Sequence, residues 1–267
     1  LEDDVKIENR LAVCTLFCLA LVPALAQSAD LAHKPAAPRL VLVELFTSEG
    51  CSSCPPADAL LRKLNGARVD SGQLIVGLSE HVTYWNNLGW MDPFSDQTYT
   101  ARQSAYSDRF GLDSVYTPQV VVNGEAQMVG SDGSAILKAI AKLGDKSPAT
   151  LHIVSVMDAE TGPHRQLTVT FGVDGPLPAG TEVYAVIADD MATSSVSRGE
   201  NSGRTLSHVS VARSFTRVAT LKDAKSVTVS LPVPPALKGQ PETGRHLILF
   251  AQERNAGKVL AVESKSL

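Results

Sequence analysis

The spacing of hydrophobic positions changes several times along the chain, and each change marks an expected element. Leu11 to Ala26 is an apolar run of 16 residues, followed up to Pro38 by an aperiodic stretch of Ala, Pro and polar residues expected to be a flexible leader. Arg39 to Phe46, RLVLVELF, is rich in Val and Leu and broken only by Glu44, which predicts a buried strand. Ala57 to Leu64 has helical spacing, with Leu60, Leu61 and Leu64 on one face, and Pro55-Pro56 fall in its first turn. Prolines cost little there, because those amides lack intrahelical partners anyway. Gln73 to Leu78 predicts a second strand. A helix follows at about 96–110, with Ser95 as cap, Tyr99, Tyr106 and Phe110 on one side and Gly111 as its end. Gln119 to Val122 and Gln127 to Val129 read as strands around an Asn123-Gly124 turn. Residues 134–143 form a further helical pattern, Ile136, Leu137, Ile140 and Leu143 sharing a face before Gly144.

Beyond Pro148 the period shortens to that of strands. Alternating runs recur at 151–157, 166–173, 182–189, 208–220, 226–231, 245–252 and 258–263, separated by turn clusters such as VDGPLPAG. The expected architecture is therefore an α/β domain over 39–147 and an all-β, sandwich-like domain over 148–267. A length of 267 residues fits two domains.

Composition adds exclusions. With 44% hydrophobic and 19% charged residues, a net charge of −4 and no basic block, nucleic acid is not an expected partner. The run at 11–26 ends in Ala24-Leu25-Ala26 and falls short of the roughly 20 residues that span a bilayer, so it reads as an export signal at 1–26. A periplasmic or secreted protein with no stable membrane anchor after cleavage is the expectation. Cleavage there removes Cys14 and Cys18 and leaves Cys51 and Cys54.

Those two thiols sit three positions apart, between the first strand and the following helix. A helix N-terminus stabilises a thiolate through its free amides and partial positive charge, and a second thiol nearby can resolve a mixed disulfide formed by the first. Cys51, nearer the loop, is the expected nucleophile and Cys54 the resolving thiol. Thr117-Pro118 runs straight into a strand, where a cis bond would leave the Thr117 backbone free to pair with an extended substrate. Strand, Cys-x-x-Cys, helix and Thr-Pro before a strand together predict a thioredoxin-like first domain.

The segments VELFTSEGCSSCPPADALL, HVTYWNNLGWMDPF, TARQSAY, VYTPQVVVNG and RGENSGRTLSH resemble, in order, the exported bacterial thioredoxin-like family known as domain of unknown function 1223. The resemblance runs from about residue 40 to the C-terminus and implies a thioredoxin-like domain with an added β region. It implies no substrate. The chain departs from the family pattern at Thr83 and Asn86, where acidic residues stand.

Glu44, seven residues before Cys51, is placed much like the buried acid of thioredoxins and is a candidate general base for Cys54; a strand-end carboxylate facing water is the alternative. Tyr84 and Trp85 are candidate substrate-binding residues, or aromatics that pack an insertion onto the sheet. The Gly-bounded loop Arg198 to Arg204 reads as a hairpin turn, a clamp between domains or an arm reaching the thiols. No Ser-His-Asp array, nucleotide-binding glycine pattern or paired catalytic carboxylates emerge. Three functions follow. The first is exchange with protein or small-molecule thiols and disulfides, which needs no cofactor. The second is a copper(I) site made by the two thiols with His81 or His208. The third is a binding module whose disulfide is inert.

Overall fold

In a computed structural model of the chain, residues 38–144, 147, 149–161, 164–221, 226–237 and 244–267 are described. The expected export signal, with Cys14 and Cys18, and the leader up to residue 37 lie outside them. The first apolar run forms strand β1 (Leu40–Thr47), which turns at Ser48–Ser53 into helix α1 (Pro55–Leu64) and returns as β2 (Leu74–His81), parallel to β1. Helix α2 (Gln97–Phe110) follows, capped by Asp96 rather than Ser95: the Asp96 carboxylate accepts from the Thr98 amide, and Gly111 closes the helix in the left-handed region. Strands β3 (Gln119–Val122) and β4 (Ala126–Val129) make the expected hairpin, and α3 (Gly133–Lys142) completes this segment.

Seven strands then appear where the period-2 runs predict them: β5 (Thr150–Thr161), β6 (His164–Asp174), β7 (Glu182–Ser195), β8 (Thr205–Thr220), β9 (Ser226–Pro232), β10 (Arg245–Gln252) and β11 (Val259–Ser266). Their arrangement overturns the expected fold class. An α/β thioredoxin-like domain followed by a separate sandwich-like domain does not form. Instead β11, β10, β7 and β8 continue into β2, β1, β3 and β4 as one mixed eight-stranded sheet, and β5, β6 and β9 form a second sheet of three. The seam is the parallel pairing of β2 with β8 at Ser79 and Val211.

The physical reason lies in β7 and β10. A sandwich strand shows one face to water, whereas these are apolar on both. Val183, Ala185, Ile187, Leu247 and Leu249 face Leu167, Val169 and Phe171 of the small sheet, and Val186, Ala188, Ile248 and Phe250 face the other way. Strands covered on both faces belong inside a sheet with layers on either side. The second face packs with Leu42, Leu78 and Tyr99, so one core joins β1, β2 and α2 to the C-terminal strands. On the opposite face of β1, Val41, Val43 and Leu45 pack against Ala57 and Leu61 of α1 and Ile136 and Ile140 of α3. The far end of the large sheet curls back. The Val259 amide donates to the Asn123 carbonyl at 2.8 Å, while the Asn123 side chain accepts from Leu42 N and donates to Val259 O.

Candidate functional site

At the end of β1 the chain leaves the sheet and tightens into a turn, the Cys51 amide donating to Ser48 O and the Cys54 amide to Cys51 O, both at 3.2 Å. Cys54 is the N-cap of α1, with Pro55 and Pro56 behind it. Cys51 and Cys54 form a disulfide, their Cα atoms 5.4 Å apart. Ser52 and Ser53 between them are exposed. Both cysteines are at 0% exposure, so the reading of Cys51 as the reachable end of the pair needs correction: in the disulfide state neither sulfur meets solvent.

Much of what surrounds the turn comes from far along the chain. The Asn201 side-chain amide donates to the carbonyls of Glu49 and Cys51, each at 2.9 Å, and Arg204 donates to Asn201 Oδ1 at 3.0 Å. The Glu200 carboxylate accepts from the Ser52 amide at 3.0 Å, and the Ser52 hydroxyl together with that amide holds it below the usual carboxylate range. The 198–204 loop is thus both the turn of the β7–β8 hairpin, closed by the Val196 amide on Arg204 O and the Gly203 amide on Val196 O, and an arm that reaches the turn carrying the thiols. On another side, a Cβ at Gly50 would lie 3.0 Å from Trp85 Cβ, and the Trp85 indole donates to Thr117 Oγ1 at 2.8 Å. The Thr117–Pro118 bond is cis. Pro118 and Ala57 both crowd Gly130, where an added Cβ would sit 3.0 and 3.1 Å from their Cβ atoms, which places Pro118 beside the first turn of α1. Trp85, Thr117 and Pro118 are thus brought to the pair. Tyr84 donates to Gln103 Oε1 at 3.2 Å and also neighbours Thr117, and burial pushes its phenol up against both.

Glu44 goes elsewhere. Alternate side chains of a strand point to opposite faces, and Val43 and Leu45 face α1. The Glu44 carboxylate meets α2, accepting from Arg102 Nε at 2.5 Å and from the Tyr106 hydroxyl at 2.6 Å. Arg102 is further wrapped by the rings of Tyr106, Tyr184, Phe215 and Phe250, 4.6–5.6 Å away. Beside it, burial and the Glu44 charge push the Glu80 carboxyl well up, with Arg102 only partly offsetting them.

On the α1 face of the sheet lies a cluster of buried ionisable groups. Glu49 Oε2 accepts from Trp90 Nε1 at 2.8 Å and Ser194 Oγ at 3.1 Å, and its Oε1 is 3.3 Å from His208 Nε2. His208 Nδ1 lies 3.5 Å from Asp58 Oδ1, long for a hydrogen bond, and Thr47 Oγ1 donates to the same oxygen at 3.0 Å. Burial pushes His208 down, but Asp58 and Glu49 outweigh it and hold the imidazole up to about 10. His81 Nδ1 is 2.7 Å from Asp92 Oδ2, which also accepts from the Glu49 amide. Burial pushes Asp92 up; the His81 charge and the amides of Glu49 and Phe94 more than offset it and leave it low. Asn86 accepts from the Asp92 amide. The His81 and His208 rings meet edge to face at 4.6 Å. Their close polar partners are carboxylates, and among the described residues no three or more His, Cys, Asp or Glu side chains are placed to hold a metal ion.

One array absent from the sequence reading appears through the fold. Ser210 Oγ is 2.9 Å from His246 Nε2, and His246 Nδ1 is 2.5 Å from Asp190 Oδ1. The Ser210 hydroxyl is wholly buried and donates to the Gly77 carbonyl. It ties β2, β8 and β10 together at the seam.

This chain belongs to the family described as protein of unknown function (DUF1223), which it matches over residues 42–252. A structural-genomics protein of Agrobacterium tumefaciens, solved by X-ray crystallography, is 28% identical, with 86% of this chain and 95% of that chain covered and a TM-score of 0.58. HBP35 of Porphyromonas gingivalis is 15% identical, with 86% and 76% covered and a TM-score of 0.57, a likeness of fold alone. No curated protein matches.

Proposed function

We propose that this is an exported protein that exchanges disulfides with protein or small-molecule thiols, Cys51 forming the mixed disulfide and Cys54 resolving it. The observation that carries the reading is the Cys51–Cys54 disulfide at the head of α1, where the positive end of the helix dipole favours a departing thiolate. An incoming thiolate bonds to Cys51 Sγ, and the electron pair of the broken sulfur–sulfur bond leaves on Cys54. A second thiolate of the substrate then attacks the first substrate sulfur and frees Cys51, so the pair is reduced and the substrate dithiol oxidised. Two sulfurs complete the chemistry without a cofactor. Export is supported by the apolar run at 11–26, and the small net charge offers nothing to nucleic acid.

Because both sulfurs are buried, the surface over Cys51 must open before a thiolate can reach it. That burial equally suits a second reading, an inert disulfide in a binding module. Replacement of Cys54 by Ser in the exporting cell separates them. Exchange predicts partners trapped on Cys51 as mixed disulfides and, for the unaltered pair, a potential of about −180 to −270 mV in glutathione buffers. An empty trap, with a pair that stays oxidised in the same buffers, sinks the exchange reading.

A further inference from the structure

Cys54 has backbone angles of a helical residue, and Asp58 stands one turn further along α1, its amide donating to Cys54 O at 3.1 Å. Residues four apart on a helix share a face, with Cβ atoms about 5–6 Å apart. Both side chains are buried. Asp58 Oδ1 is fixed by the Thr47 hydroxyl, and His208 Nδ1, which completes no hydrogen bond, is aimed at it from β8. The other charged groups around this spot are Glu49 in the turn before Cys51, His81 on β2, Asp92 ahead of α2, Arg62 on α1, and Glu200 and Arg204 of the arm.

We propose that Asp58 is the proton acceptor for the Cys54 thiol, with His208 as a positioning residue behind it. The assignment rests on the exchange reading. When Cys54 attacks a mixed disulfide at Cys51, the proton of its thiol passes to the Asp58 carboxylate. The sulfur lone pair forms the bond to Cys51 Sγ, and the substrate leaves as a thiolate carrying the electron pair of the broken bond. In the opposite direction the same proton returns to Cys54 as it departs. Glu44 is on the wrong face of β1 for this task, bound to Arg102 and Tyr106. His208 lies between the Glu49 and Asp58 carboxyl groups, its Nδ1 3.5 Å from Asp58 Oδ1, and so holds the Asp58 carboxylate by charge.

The test uses the full chain, reduced and then mixed with oxidised glutathione, and follows release of glutathione from Cys51 across pH. Asp58→Asn is expected to slow that release about 100-fold near neutrality, the size of a lost general base, and to converge on the unaltered rate at alkaline pH, where solvent ionises the thiol. Asp58→Glu recovers part of the rate, and His208→Gln gives an intermediate profile. Should Asp58→Asn fail to fold, Thr47→Val removes only the hydroxyl that fixes the carboxylate and is expected to slow release about 10-fold. A folded Asp58→Asn, or in its place Thr47→Val, with an unchanged pH profile overturns the role of Asp58 alone. If the unaltered protein releases no glutathione at any pH, the exchange reading falls and takes this assignment with it.

Discussion

His208 illustrates how little a residue's own neighbourhood in sequence says about its state. In the folded protein it lies buried between Glu49 and Asp58 and keeps its proton up to about pH 10. In the unfolded chain an imidazole loses its proton near pH ~6.5. The folded value is the higher one, so the stabilisation is fully present below about pH 6.5 and drains away as pH rises to about 10. Urea unfolding at intervals from pH 6 to 10.5 is expected to show this decline, and His208→Gln to flatten it. The sequence marks His208 as a candidate copper(I) ligand and gives no hint of the two carboxyl groups that flank it. Cys51, Cys54, Trp85, Thr117 and Pro118 are flagged by local chemistry: a thiol pair, an aromatic run and a proline leading into a strand. Asn201 and Glu200 were half legible, in a loop too dense in polar groups for a plain turn. Asp58, Glu49 and Asp92 lie inside the quoted segments but carry no mark of their own there, since each looks like an ordinary helix or loop acid until residues 11 to 159 positions away close around it. Glu44 lies in the expected strand, and its spacing to Cys51 suggests a base for Cys54; the alternation with Val43 and Leu45, which meet α1, turns its carboxylate to the other face.

Among the elements, the β3–β4 hairpin shows what fixes the sheet's closure. Asn123 and Gly124 form the turn that the Asn-Gly pair announces, both in the left-handed region, and the backbone after β10 comes down on it. A Cβ at Gly124, where φ is +65°, would stand 2.2 Å from the Gly257 carbonyl oxygen. Gly66 has φ of +77° with nothing within 4 Å. Gly66→Ala therefore meets only the left-handed penalty, about 1–2 kcal/mol, whereas Gly124→Ala adds a backbone clash and is expected to cost more than twice as much. Thermal unfolding of the two variants checks the difference; equal shifts would show that the sheet end is free to move. Element positions were readable throughout, since period and turn residues are local. Pairing was not. The runs YAVIA in β7 and LILFA in β10 are continuous rather than alternating, and that feature, read as a need for cover on both faces, points to an interior strand and away from a sandwich edge.

For the whole described chain, the shared core has a direct consequence for any attempt to divide it. Ending the chain after residue 147 strips Val186, Ala188, Ile248 and Phe250 from Leu42, Leu78 and Tyr99, and leaves Arg102 without Gln252 and three of its four rings. The shortened chain is expected to lose its cooperative urea transition, while the chain through residue 267 keeps one. A sharp transition in the fragment would show that the first 147 residues hold their own core after all.

Asn201 is 150 residues downstream of Cys51, whose carbonyl it grips. At a synthesis rate of roughly 5–20 residues per second, the two sulfurs leave the ribosome about 8–30 s before the segment that grips the Cys51 carbonyl exists. A newly made molecule therefore passes through a stage with its thiols uncovered, and whichever oxidant or reductant meets it then finds a far more open target than the finished protein presents.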